Sequence, residues 1–78
     1  MKINVDESGN TITIIPASTY TIKIKKVQIS GKDAFILECG YDTIKYCHDL
    51  IEVLNYINKE FNNIDRRALA DYIIANRF

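Results

Sequence analysis

From Lys2 to Cys47 the apolar residues recur at every second position, and after Cys47 they recur at helical spacing. Side chains alternate faces along a strand, whereas positions three and four apart share one face of a helix. A single change of period at one point restricts the chain to strands first and helices after. It predicts an α+β fold, a five-stranded antiparallel β-meander over residues 1–47 followed by two α-helices over residues 48–78, packed on one face of the sheet. Seventy-eight residues make one domain.

The alternation also predicts a register. Ile3 and Val5 alternate with Lys2 and Asn4, and Ser8-Gly9 has the composition of a two-residue hairpin loop. Such a loop sets Val5 opposite Ile12 and Ile3 opposite Ile14. Pro16-Ala17-Ser18 turns the chain, because proline has no N–H to give a central strand. Tyr20, Ile22 and Ile24 then continue the same face. At Lys25-Lys26 the alternation slips by one residue to Val27 and Ile29, which predicts a β-bulge. Gly31-Lys32-Asp33 closes the next hairpin, pairing Ile29 with Phe35 and Val27 with Leu37. A reversal at Tyr41-Asp42 pairs Cys39 with Ile44 and Leu37 with Tyr46. The outward row becomes Lys26, Glu38, Lys45, and such facing opposite charges stabilise a ladder by roughly a few tenths of a kcal/mol each.

Asp49 followed by Glu52 has the spacing of a capping box. Leu50, Val53, Leu54, Ile57 and Phe61 form the stripe of the first helix, which Asn62-Asn63 ends. A second helix, from about Asp65 to Asn76, buries Ala68, Leu69, Tyr72 and Ile73.

Composition excludes several function classes. The formal net charge is zero, which argues against recognition of nucleic acid or anionic membrane by bulk electrostatics. No apolar run approaches the ~18 residues of a membrane span, and Met1-Lys2-Ile3-Asn4 does not open a signal peptide. Two cysteines are too few for a secreted disulfide scaffold. The expectation is a cytoplasmic protein. Abundant Ile, Asn and Lys point to A/T-rich codons, hence a low-GC bacterium or a phage of one.

Catalytic chemistry has little material. The register puts Cys39 on the core face and Cys47 on the opposite one, so they neither bridge nor share a metal. Zinc-ligand spacings such as C-x-x-C are absent, and so are a phosphate loop and H-E-x-x-H. Cys47 precedes a helix N-terminus, which can lower a thiol pKa, but small packed cysteines are far commoner. The expectation is no enzyme, no metal, no cofactor and no small-molecule substrate.

The surface is more informative. The outward face of the first three strands carries Lys2, Asn4, Thr11, Thr13, Thr21 and Lys23, and lacks the stacking aromatics of an RNA-binding sheet. A solvated polar face is the plainer reading there. Arg66 and Arg67 oppose the dipole of the second helix, either as an electropositive spot together with Arg77 or as local partners of Asp65 and Asp71. Ile15, Ile36, Ile51, Ile74 and Phe78 fall outside the core stripes, a surplus that suggests contact with another protein.

These features favour a non-enzymatic protein-binding module, a regulator or steric inhibitor, using residues among Ile15, Lys23, Lys25, Ile36, Arg66, Arg67, Ile74, Arg77 and Phe78. A homodimer through Ile74 and Phe78 is one form of it. The competing expectation is a nucleic-acid-binding protein using Lys23, Lys25, Arg66 and Arg67. In size and element order the chain is similar to small phage-encoded proteins, some of which inhibit host defence in the anti-CRISPR manner. No motif accompanies that likeness.

Overall fold

A computed structural model describes residues 1–17 and 20–78. Its elements are β1 (Lys2–Val5), β2 (Thr11–Ala17), β3 (Tyr20–Ile29), β4 (Lys32–Cys39), β5 (Asp42–Cys47), α1 (Leu50–Glu60) and α2 (Arg66–Ala75). The strands form one sheet in sequential order, and every neighbouring pair is antiparallel. The sheet followed by two helices is the architecture that the change of period predicts.

Alternation builds the core. Ile12, Ile14, Ile22, Ile24 and Leu37 are all at 0% exposure, and burying such a side chain contributes about 1.5–3 kcal/mol. Val53 and Ile57 of α1 and Leu69 and Ile73 of α2 join them in one buried cluster. Leu50, Leu54, Phe61 and Tyr72 pack against its margin.

Over β1, β2 and the first half of β3 the register is the expected one. Ile3 pairs with Ile14, Val5 with Ile12, Ile12 with Ile24, and Ile14 with Ile22. The first hairpin loop is longer than two residues but leaves that register unchanged. Gly9, at φ 75, donates its N–H to the Asp6 carbonyl at 3.0 Å. The Asp6 carboxylate accepts from the Ser8 hydroxyl and from the Asn10 and Thr11 amides. The turn is therefore centred on Glu7-Ser8, with glycine supplying the left-handed residue that follows. Pro16 and Ala17, expected in the turn, instead belong to the end of β2, where Ala17 pairs with Tyr20 and the β2–β3 register shifts between Ile14 and Ala17. Ser18, assigned to that turn, lies outside the described residues.

From Lys25 onward the structure corrects the expected register. No bulge interrupts β3: an unbroken ladder runs through Lys25↔Ile36, Lys26↔Phe35, Val27↔Ala34 and Ile29↔Lys32. The cause is the turn. Ser30 and Gly31 both have positive φ, 53 and 79, the type I′ geometry that matches strand twist in a two-residue loop. A tight turn at Ser30-Gly31 forces Ile29 opposite Lys32, not Phe35. Val27 and Ile29 consequently face outward, and Lys26 takes a core-side position. Its ammonium sits 5.0 Å from the centre of the Phe78 ring, as a long side chain allows when its head is kept at the margin of an apolar surface.

The β4–β5 hairpin is corrected as well. Gly40, at φ 64, opens a two-residue loop with Tyr41, because Cys39 pairs with Asp42. The pairing then runs Phe35↔Cys47, Ile36↔Tyr46 and Leu37↔Lys45, with a shift between Leu37 and Glu38 that leaves Ile44 as the extra residue. A bulge exists, but on β5. Lys45 thereby turns to the core side, its ammonium 5.9 Å from the Tyr56 ring centre. The outward row Lys26, Glu38, Lys45 does not form. Glu38 is outward, and it pairs diagonally with Lys25 at 3.1 Å.

Both helices start on aspartate caps, each contributing about 1 kcal/mol. The Asp49 carboxylate accepts from the Glu52 amide at 2.8 Å, and Glu52 reaches back to the His48 amide. The Asp65 carboxylate accepts from the Arg67 and Ala68 amides. At the far end of α2 the Phe78 amide donates to the Ile73 carbonyl and the Arg77 amide to the Ile74 carbonyl. Those two bonds define a Schellman motif, with Arg77 in the left-handed region at φ 53. The motif folds Phe78 back into the core, 7% exposed and 6.0 Å from Phe35 between ring centres. The expectation that Phe78 lies on the surface is thereby corrected. No helix is long and apolar enough to cross a membrane among the described residues.

Candidate functional site

The corrected register gives the outward face two unlike halves. Because β3 alternates without interruption, Thr21, Lys23, Lys25, Val27 and Ile29 all face away from Ile22 and Ile24. Their partners on β4 are Glu38, Ile36, Ala34 and Lys32, and Ile36 in turn meets Tyr46 on β5. Val27, Ile29, Ala34, Ile36 and Tyr46 therefore form a contiguous apolar corner. Ile29 is 55% exposed and Tyr46 65%. A depression of about 370 Å³ opens beside this corner, lined by Ile29, Ala34, Phe35, Tyr46 and Cys47, with Lys32, Asp33 and His48 at its polar margin.

The depression has a structural origin. Pairing of β5 with β4 stops at Phe35↔Cys47, whereas β4 continues to Lys32. After Cys47 the chain bends away through His48 into α1. Lys32, Asp33 and Ala34 thus have β3 on one side and a vacated strand position on the other. Asp33 is occupied by a side-chain hydrogen bond from the Gln28 amide, and His48 lies 3.5 Å from the Glu52 carboxylate. Among the described residues the ion pairs are Lys25–Glu38 and His48–Glu52, so Lys32 is a free cation on the rim.

The residues singled out from the sequence do not come together. Ile36 and Lys25 border the apolar corner, with Lys25 engaged by Glu38. Lys23 lies further along the outward face, and Ile15, paired with Lys2, lies toward its opposite end. Arg66, Arg67, Ile74 and Arg77 belong to α2 or its end, and Phe78 is core. Arg66 donates to the Asn55 side chain at 3.4 Å. Pairing of the arginines with Asp65 or Asp71 is not seen, since the Asp65 carboxylate caps α2. Ile51 and Ile74 are exposed, 69% and 74%.

Sequence reasoning missed Val27, Ile29, Ala34 and Tyr46, having assigned Val27, Ile29 and Tyr46 inward. The signal that finds Val27, Ile29 and Ala34 is the Ser30-Gly31 pair, which fixes the tight turn and with it the phase of both flanking strands, whereas Tyr46 is turned outward by the Gly40-Tyr41 loop and the extra residue Ile44.

The cysteines also change places. Cys47 pairs with Phe35 and is 2% exposed, and Cys39 pairs with buried Ile22. Both therefore lie on the core side, contrary to the expected opposition, four residues apart along β4 counted from Cys39 to Phe35. Both are free thiols. Burial pushes the Cys47 thiol above its ordinary pKa, with the Glu52 carboxylate adding to the shift, the direction opposite to activation by a helix N-terminus. Among the described residues no group of three or more His, Cys, Asp or Glu is placed to hold a metal ion.

Compared with known proteins, the chain matches no family model, and neither curated proteins nor solved structures give a match.

Proposed function

We propose that this chain is a non-enzymatic protein-binding module that regulates or inhibits its partner by covering it, and that it docks through the apolar corner of β3, β4 and β5. The observation that carries this reading is the exposure of Ile29 and Tyr46 beside Val27, Ala34 and Ile36. Contiguous exposed apolar surface is uncommon on soluble proteins unless something docks there. An apolar centre with a polar rim, here Lys25, Glu38 and Lys32, is the general anatomy of a protein interface. Tyr46 belongs to a residue type that supplies much of the binding energy in such interfaces. Steric inhibition needs this surface and no reacting group. The reading includes a cytoplasmic setting, a bacterium or its phage-infected state, in which Cys39 and Cys47 would stay reduced.

The nucleic-acid reading gains no comparable support. Lys25 is engaged by Glu38, and Arg66 and Arg67 lie on α2 rather than beside Lys23.

The test is affinity capture from bacterial lysate with wild type, Tyr46→Asp and Ile74→Asp, followed by a salt series. The expected result is a protein retained by wild type and Ile74→Asp and lost by Tyr46→Asp. Retention should change little between roughly 50 and 200 mM salt, a range over which phosphate contacts weaken steeply. Equal capture by all three forms would remove the corner as docking surface. Loss with Ile74→Asp instead would move the site to α2, including self-association through it.

A further inference from the structure

The vacated strand position beside Lys32, Asp33 and Ala34 says what kind of partner segment the corner can take. Two cross-strand bonds fix the direction of the backbone groups there. The Lys26 amide donates to the Asn10 carbonyl at 2.7 Å, toward β2, and the Gly40 amide donates to the Thr21 carbonyl at 3.0 Å, toward β3. Backbone groups alternate sides along a strand. Odd-numbered residues of β3 therefore bond to β4, and on β4 it is Lys32, Ala34, Ile36 and Glu38 that bond back to β3. Phe35 and Leu37 point the other way, into β5. Asp33 points the same way as Phe35, but β5 has ended at Cys47. Its N–H and C=O face the depression.

We propose that this position binds an extended peptide segment of a partner protein by strand addition, with the pattern apolar, any residue, acidic. The proposal rests on the protein-docking reading above. The middle residue of the segment sits opposite Asp33 and exchanges both backbone bonds with it, the pairing mode of peptides added to sheet edges. Its two neighbours then project to the outward face, one beside Ala34 and one beside Lys32. The residue beside Ala34 enters the depression between Ile29 and Tyr46, which selects an apolar side chain. The residue beside Lys32 meets the free cation of the rim, which selects a carboxylate. The free edge of β5 itself is a poor alternative template. It carries the bulge at Ile44 and the inward-turned Lys45, two features that discourage edge pairing.

The experiment selects random nine-residue peptides displayed on phage against the folded chain, then measures the enriched peptides on Asp33→Ala and Asp33→Pro. Asp33→Ala removes the carboxylate and keeps the amide. Asp33→Pro removes an amide that the β3 ladder does not use, so the hairpin keeps its bonds. Enrichment of the apolar-x-acidic pattern, retained by Asp33→Ala and weakened about tenfold or more by Asp33→Pro, is the expected result. Amide exchange on wild type provides a readout independent of the variants' folding: bound peptide should slow the Asp33 amide selectively, relative to Ala34. No enriched peptide, a helical periodicity among the enriched ones, or an Asp33 amide unprotected by them would overturn strand addition. Peptides lost by Tyr46→Asp but kept by Asp33→Pro would overturn it too, while leaving the docking surface in place.

Discussion

On β1, β2 and the first half of β3 the outward face carries Lys2, Asn4, Thr11, Thr13, Thr21 and Lys23. On the second half of β3, on β4 and on β5 it carries Val27, Ile29, Ala34, Ile36 and Tyr46. The core face shows the reverse trend. Ile12, Ile14, Ile22 and Ile24 are fully buried in the first region, while the second adds Lys26 and Lys45, each with its ammonium near an aromatic ring. One sheet thus has a half that, Ile15 apart, is apolar on one side only and a half that is largely apolar on both, with the two inward lysines at its core margin. A half with one wet face needs nothing further to be stable in water. A half with two apolar faces leaves one of them available to a partner.

The sharpest way to break this comparison is to put the same charge on each half. Ile24→Lys buries an ammonium at a position with 0% exposure and should leave the chain unfolded at 25 °C, a loss of more than about 4 kcal/mol. Ile29→Lys changes an exposed outward residue and should stay within about 0.5 kcal/mol of wild type in urea unfolding. Under the bulged register, with Ile29 facing inward opposite Phe35, both would be severe. Unfolding by Ile29→Lys would therefore restore that register and dissolve the apolar corner.

The same comparison explains what was legible in the sequence. In the first region each strand, Ile15 apart, separates apolar from polar, so the phase of the core could be read directly, and Ile3, Val5, Ile12, Ile14, Ile22 and Ile24 fell where expected. The helices were legible for a like reason, through Asp49, Asp65 and the stripe of Val53, Ile57, Leu69 and Ile73. In the second region hydrophobicity is a poor guide to phase. Val27 and Ile29 look like core and Lys26 looks like surface, yet the turn at Ser30-Gly31 decides otherwise. Lysine tolerates the inward position because its stem buries while its charge reaches the margin. The candidate site was hidden for that very reason, since Val27, Ile29 and Tyr46 read as core and only Ile36 reads as surface. Phe78 was hidden differently: Arg77 is not the glycine that usually announces a Schellman motif.

A second prediction tests how the apolar half is anchored at the end of α2. Phe78 closes the core against Phe35 and carries the Lys26 ammonium. Phe78→Ala should cost about 3 kcal/mol, near the lower end for a buried phenylalanine, and should loosen the β3–β4 hairpin more than β1–β2. Amide exchange compared between Ile36, which bonds to β3, and Thr13, which bonds to β1, reads the difference. Equal loosening of both would mean that the two halves are not separately supported. Arg77→Gly acts in the opposite sense, because glycine relieves a left-handed residue. It should raise stability by about 0.5–1 kcal/mol, and a loss instead would mean that Arg77 makes a contact beyond its backbone role.

The smallest expected effect concerns acid, and it compares the two ends of the sheet through one carboxylate each. The hydrogen bond from the Ser8 hydroxyl, with further backbone bonds, holds the Asp6 carboxyl below its ordinary pKa in the first hairpin. At the exit from β5, the bond from the His48 amide does the same for Glu52. A carboxyl whose pKa is lower in the folded chain binds its proton more readily in the unfolded one. It contributes stability above the unfolded value, and that contribution is lost as pH falls through the folded value. The window lies at and below the ordinary carboxylate range, about pH 4.5 downward. Both groups are exposed, so screening keeps each contribution small. Asp6→Asn and Glu52→Gln should each lower the urea midpoint slightly at pH 7 and converge on wild type near pH 3. A deficit that persists unchanged at pH 3 would show that the carboxylate's charge is not what the turn or the cap depends on. Convergence by Asp6→Asn alone would place the acid sensitivity in the polar half, leaving the exit from β5 held by packing.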